Sequence, residues 1–245
     1  MTNYIVCLAH FCELHGPSTI MCTQVTTQSR KQDHILPPTS KLQTCSSCKL
    51  ILPDGLYNVV TTEEPSPSKS LKTGQDEEAR VFISTHYPSS QKRYASLTKL
   101  VMKSLSVETS SVLSKPMFYG DMVNGYCINK IFKIRDINAR GSERKYSLMV
   151  VADSESDLLS NWDVISVYFT EIIELVQERV ELTFEDTMAK REAEASNNSN
   201  TLLDNERYLR RSMIKPKSLA DLTNDDQIFV KLHLWAIELL KDILK

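Results

Sequence analysis

The sequence predicts an α+β domain, a mainly antiparallel sheet with helices packed on its faces. Three observations carry that prediction. Two strand-like runs near the N-terminus, YIVCLAHF (4–11) and STIMCTQV (18–25), flank Gly16-Pro17. A residue free in φ beside one with fixed φ suits the turn of an antiparallel hairpin. A second set of strand-like runs lies between residues 116 and 153, and apolar rows at spacings of three and four residues precede and follow it.

Taken in order, the N-terminal hairpin gives way to residues 26–79, which are rich in Ser, Thr, Lys and Gln and hold five of the nine prolines. Such a stretch buries too little apolar surface to fold, so it reads as a largely disordered insertion, with LYNVV (56–60) a short ordered piece. RVFIST (80–85) is strand-like. In QKRYASLTKLVMKSLS, Tyr94, Leu97, Val101 and Leu105 share one helical face. After Pro116, MFYGD leads to a turn at Gly120–Gly125, and GYCINKIFKIRD (125–136) places Tyr126, Ile128, Phe132 and Ile134 on one side. RKYSLMVVAD (144–153) is apolar on both faces at its centre, as an interior strand is.

From Ser142 to Lys215 there is neither glycine nor proline. Ser154 and Asp157 form a capping-box pattern. Leu158, Trp162, Ile165, Phe169, Ile172 and Val176 then define one long amphipathic helix, whose tail fades into a polar linker at 195–217. A last helix opens at TNDD (223–226) and runs through Ile228, Leu232, Trp235, Leu239 and Ile243. Lys241 and Lys245 stand at the end that the helix dipole favours. Residues 1–25 and 80–245 are thus expected to form the domain.

Composition excludes several functions. With 29 basic residues against 31 acidic, no overall positive field draws nucleic acid or membrane. No run reaches the roughly 18 apolar residues that span a bilayer. The first residues lack a basic n-region, and His10 and Glu13 interrupt their apolar run, so no signal peptide is expected. The expectation is an intracellular chain with reduced thiols. The glycines are isolated, so no loop cradles phosphates and no nucleotide cofactor is expected.

Few residues offer chemistry. Cys45 and Cys48 have zinc-knuckle spacing, but a structural site takes four ligands. The remaining candidates, His34 and His86, stand at spacings that fit no standard pattern, so no bound metal is expected. Cys7, Cys12, Cys22 and Cys127 lie on or beside strands and read as buried thiols. His10 and His15 read as core or turn histidines, and Arg207, Arg210, Arg211, Lys215 and Lys217 as a solvated basic cluster. Between two strands, DINARGSERKYSL (136–148) sets Ala-Arg-Gly at a hairpin tip. On its own, Arg140 there is a solvated surface charge.

Several long strings change that reading. HFCELHGPSTIMCTQ (10–24), the Cys45-x-x-Cys48 pair, RVFISTHYPSS with the following KSLSVE, FYGD (118–121), IFKIRDINARGSERKYSL (131–148) and SLADLTNDDQIFVKLHLWAIELLK (218–241) resemble the folliculin family, most closely its short fungal members. The matches cover most of the chain outside 26–79 and 190–217. The resemblance implies a longin domain, a five-stranded mixed or antiparallel sheet between helices, with RVFIST an extra extended piece before the first helix. Folliculin continues into a DENN domain, whereas this chain stops at Lys245, so a partner is expected to supply that module.

The resemblance also implies a heterodimer with a folliculin-interacting-protein-type longin/DENN subunit. The pair would stimulate GTP hydrolysis on a Rag C/D-type GTPase and pass amino-acid status to the target-of-rapamycin kinase, at the vacuolar or lysosomal membrane. The chain would then be no enzyme itself. Arg140 would be the arginine finger, and Asn138, Arg135 and Arg144 would contact the partner or GTPase. Arg135 and Arg144, nearer the strands, could equally make ion pairs. Charge builds on phosphoryl oxygens in the hydrolytic transition state, and a planar guanidinium both neutralises and hydrogen-bonds it. The competing reading is a non-catalytic longin adaptor in membrane traffic, for which the arginine is incidental.

Overall fold

A computed structural model describes residues 3–35, 45–53, 59–64, 79–106, 115–197 and 216–245. Among the described residues seven strands form one antiparallel sheet: β1 (Tyr4–Cys12), β2 (Gly16–Thr27), β3 (Val59–Glu63), β4 (Arg80–Thr85), β5 (Met117–Asp121), β6 (Gly125–Arg135) and β7 (Glu143–Ala152). Their order across the sheet is β3-β4-β2-β1-β7-β6-β5. The α+β class is as expected, and the strand count is not. The five expected strands lie side by side as β2-β1-β7-β6-β5. RVFIST is no isolated extended piece: as β4 it pairs with β2 on one side and β3 on the other. Its Val81 to Thr85 are all buried, which an extra strand outside the sheet would not allow.

The period-two alternation of a strand divides the core in two. In β1, Tyr4, Val6 and Leu8 face the larger cluster, while Ile5, Cys7 and Ala9 face the smaller one. β7 does the same, with Tyr146, Leu148 and Val150 against Met149 and Val151. The smaller cluster is closed by α1 (Gln91–Ser106) through Leu97, Leu100, Val101 and Leu105. A buried polar contact fixes that helix: Asn129 Nδ2 donates to Ser104 Oγ at 2.6 Å, and Ser104 Oγ lies 2.8 Å from Ser147 Oγ.

The larger face is covered by α2 (Glu155–Ser160), α3 (Trp162–Asn197), α4 (Leu219–Thr223) and α5 (Ile228–Ile243). Ser154 caps α2, accepting from the Asp157 amide, as the capping pattern predicts. The single long helix expected after it is broken at Asn161, whose side-chain amide reaches back to the Asp157 carbonyl at 2.7 Å. The cap expected at 223–226 is displaced as well. The capping box is Ser218 with Asp221, at the start of the short α4, and α5 begins at Ile228 without a side-chain cap.

Part of the insertion is structured. Residues 28–34 and 46–48 form 3-10 turns beyond the expected ordered piece at 56–60, which β3 at 59–63 overlaps. Cys48, Leu50 and Val60 are buried there. The rest of 26–79, and most of the expected 195–217 linker with its basic cluster, lie outside the described residues. Among the described residues no helix is long and apolar enough to cross a membrane.

Candidate functional site

β6 and β7 are joined by residues 136–142, and the local sequence dictates how. Asp136 Oδ1 accepts from the Asn138 amide at 3.0 Å, closing an Asx turn. The backbone then folds tightly: Ala139 N–H donates to the Asp136 carbonyl, Ser142 N–H to the Ala139 carbonyl, and Asp136 N–H to the Ser142 carbonyl, each at 3.0 Å. Reversing the chain requires left-handed backbone at Gly141 (φ 74°) and Ser142 (φ 59°). Glycine takes that region without steric cost, which is why the residue after Arg140 is a glycine.

Arg140 is exposed at the tip of this turn. Its backbone N–H donates to Glu13 Oε1, on the turn joining β1 to β2. Strand register explains the meeting. β1 and β7 run antiparallel with His10 opposite Tyr146, so the end of β1 and the start of β7 emerge at the same end of the sheet. Among the described residues no acidic side chain pairs with the Arg140 guanidinium. Phe11 and Leu14, beside Glu13, are exposed apolar side chains at the same end.

The three contact candidates separate. Asn138 is half-buried within the turn. Arg135 is exposed but engaged: it bonds Glu181 of α3 at 2.7 Å and lies 5.0 Å over the Phe184 ring. Arg144 takes the ion-pair alternative, and it is only 8% exposed. It pairs with buried Asp136 at 2.5 Å and donates to the Lys217 carbonyl at 2.6 Å. A guanidinium so enclosed has no surface to offer a partner.

A second constellation adjoins the first. Cys12 and His15 bracket Glu13, and the ligand-capable atoms of Cys12, His15, Cys45 and Cys48 all lie within 4.8 Å of one another. Cys45 Sγ is 3.5 Å from both Cys12 Sγ and Cys48 Sγ. His15 Nδ1 is 3.7 Å from Cys12 Sγ and 3.5 Å from Cys48 Sγ. The side chains grouped with Cys45 and Cys48 are therefore not His34 and His86 but Cys12 and His15, which the β1–β2 turn brings to them. Cys12 is held as a thiolate, its pKa lowered to about 3 by hydrogen bonding from Cys48 and from the His15 and Leu14 amides. Cys48 is raised in turn, chiefly by that bond to Cys12. Buried His10, with Nε2 3.2 Å from Cys48 Sγ, is kept neutral by desolvation, at a pKa of about 4. His86, considered earlier as a ligand, is committed to the Ile20 carbonyl instead, at 2.8 Å.

The sequence carried a sign of this grouping that the reading by Cys-x-x-Cys pairs passed over. Cys12-x-x-His15 repeats the two-residue spacing of Cys45-x-x-Cys48. Glu13 carried no such sign, because its partner is 127 residues away.

Comparison with known proteins finds related sequences along the whole chain. The folliculin family model, described as a vesicle coat protein involved in Golgi to plasma membrane transport, matches residues 80–243. Protein LST7 of Saccharomyces cerevisiae is 29% identical over 255 residues, covering 100% of this chain and 98% of LST7. Folliculin-like protein bhd1 of Schizosaccharomyces pombe is 30% identical over 169 residues, 66% of this chain and 45% of bhd1. Folliculin of Homo sapiens is 26% identical over 265 residues, 94% of this chain and 44% of folliculin. The chain thus matches nearly the full length of LST7 and less than half of the other two. A family model that matches residues 80–243, most of the sequence, makes this chain a member of the folliculin family.

Proposed function

We propose that this chain is a subunit of a heterodimeric GTPase-activating complex that supplies Arg140 as an arginine finger to a Rag C/D-type GTPase. The complex acts in amino-acid signalling to the target-of-rapamycin kinase, at the vacuolar or lysosomal membrane. Its second subunit is a longin/DENN protein of the folliculin-interacting type. The observation that carries the reading is the division of labour at Arg140, whose backbone is fixed by Glu13 while its guanidinium is exposed and unpaired among the described residues. A finger needs that combination, since a misplaced charge loses most of its effect. The chain has no catalytic machinery in this reading; it completes the active site of another protein.

The family description as a vesicle coat protein supports a second reading, a non-catalytic adaptor in membrane traffic. Single-turnover GTP hydrolysis separates the two, comparing the wild-type complex with one carrying Arg140→Ala. We expect acceleration to fall by about 10³-fold or more, the range of arginine fingers elsewhere, while binding to the GTPase persists. Arg140→Lys should restore little, because an ammonium lacks the planar fork. Undiminished acceleration by Arg140→Ala would leave the adaptor reading.

A further inference from the structure

We propose that Cys12, His15, Cys45 and Cys48 form a structural zinc site that fastens the 45–53 segment to the β1–β2 turn. Four of the six separations among these donor atoms have the lengths of the edges of a small tetrahedron, and all six are within 4.8 Å. With Zn–S near 2.3 Å and Zn–N near 2.05 Å, the edges of a ZnS₃N tetrahedron are about 3.8 Å between sulfurs and about 3.6 Å from nitrogen to sulfur. The observed separations are 3.5 Å for Cys12–Cys45 and Cys45–Cys48, and 3.5 and 3.7 Å from His15 Nδ1 to Cys48 and Cys12. A disulfide would bring one sulfur pair to about 2.05 Å, and none is joined so.

Ligand chemistry selects the metal. Three thiolates and an imidazole suit zinc, and the set contains no carboxylate for a hard cation such as calcium or magnesium. With all three cysteines bound as thiolates and His15 bound neutral through Nδ1, the centre carries one net negative charge. Donors stand ready for that charge. Ser47 Oγ lies 3.0 Å from Cys45 Sγ, and His10 Nε2 lies 3.2 Å from Cys48 Sγ. Hydrogen bonds to coordinating atoms are the usual outer support of a metal centre.

The site also answers a structural need. Residues 45–53 contain only a single 3-10 turn, yet Ser47, Cys48 and Leu50 are buried. A metal cross-link would hold this irregular piece against the end of the sheet. Glu13, between two of the four ligands, would be fixed with it. This inference does not depend on the role proposed for Arg140.

Metal analysis and cobalt spectroscopy on the full chain test the proposal. Protein purified under reductant and washed with a weak chelator should retain one zinc, and His15→Ala or Cys45→Ser should weaken binding at least tenfold. Replacing zinc with Co²⁺ should give intense tetrahedral ligand-field bands with thiolate charge transfer. Should the loss-of-ligand variants fail to fold, His15→Cys serves instead: it should keep the metal and shift the cobalt spectrum to that of four thiolates. Wild-type chain without stoichiometric zinc, variants that hold it as well as wild type, or a cobalt spectrum unchanged by His15→Cys would each overturn the assignment.

Discussion

Gly141 sets the direction in which Arg140 points, and its backbone can be tested apart from its surroundings. At φ 74° it occupies left-handed space, and an added Cβ would meet nothing within 4 Å. Gly141→Ala therefore changes only the conformational preference of one residue. We expect a loss of about 1–2 kcal/mol, read from chemical denaturation, and a reduction in GTPase activation as the tip relaxes to another angle. The position of Arg140 was legible because Ala-Arg-Gly between two apolar runs is a local pattern. The fate of Arg144 was not, since its burial depends on the Lys217 carbonyl, 73 residues away. Cys12 and His15 share that limit. Each looks like an ordinary strand-end or turn residue until the chain returns with Cys45 and Cys48.

The β6–β7 hairpin is secured at its base by the Asp136–Arg144 pair, and through Arg144 to the segment that leads into α4. Both side chains are out of solvent. Removing one partner of a buried pair leaves the other charge without compensation, a far larger effect than losing a surface ion pair. Asp136→Ala should accordingly destabilise the fold by about 3–5 kcal/mol, measured as a drop in the urea midpoint. A double change of Asp136→Leu with Arg144→Met should recover much of that loss, as apolar pairs of similar volume commonly do. Elements of this kind were read well from sequence where they were periodic. Leu97, Val101 and Leu105 gave α1, and Tyr126, Ile128, Phe132 and Ile134 gave β6. Boundaries were read less well. Asn161 breaks the helix by a side chain bonding back to the Asp157 carbonyl, and nothing in the 3.6-residue periodicity announces it.

At the scale of the whole molecule, His233 joins α5 to the two strands that sequence reading left out of the sheet. It is 1% exposed, with Nε2 2.9 Å from Thr62 Oγ1 on β3 and Nδ1 2.7 Å from Ser84 Oγ on β4. Desolvation lowers its pKa to about 4, against 6.5 for an ordinary histidine. The unfolded chain therefore takes up a proton first as pH falls. The stability this residue contributes is complete above pH 6.5 and is lost between about 6.5 and 4. An NMR titration of the His233 ring should find its midpoint near 4; a midpoint at the ordinary value would contradict a neutral, desolvated ring. β3 and β4 were hard to place because their neighbours in the sheet are fixed by long-range pairing, whereas the antiparallel class followed from alternation alone. The Glu13 bond to the Arg140 amide has a last consequence, for the entropy of encounter. Ordering a loose loop on docking costs about 1–2 kcal/mol for each backbone residue. Here folding has already ordered the main chain, so a partner that takes up this arginine has only side-chain rotamers to freeze, at roughly 2 kcal/mol in all.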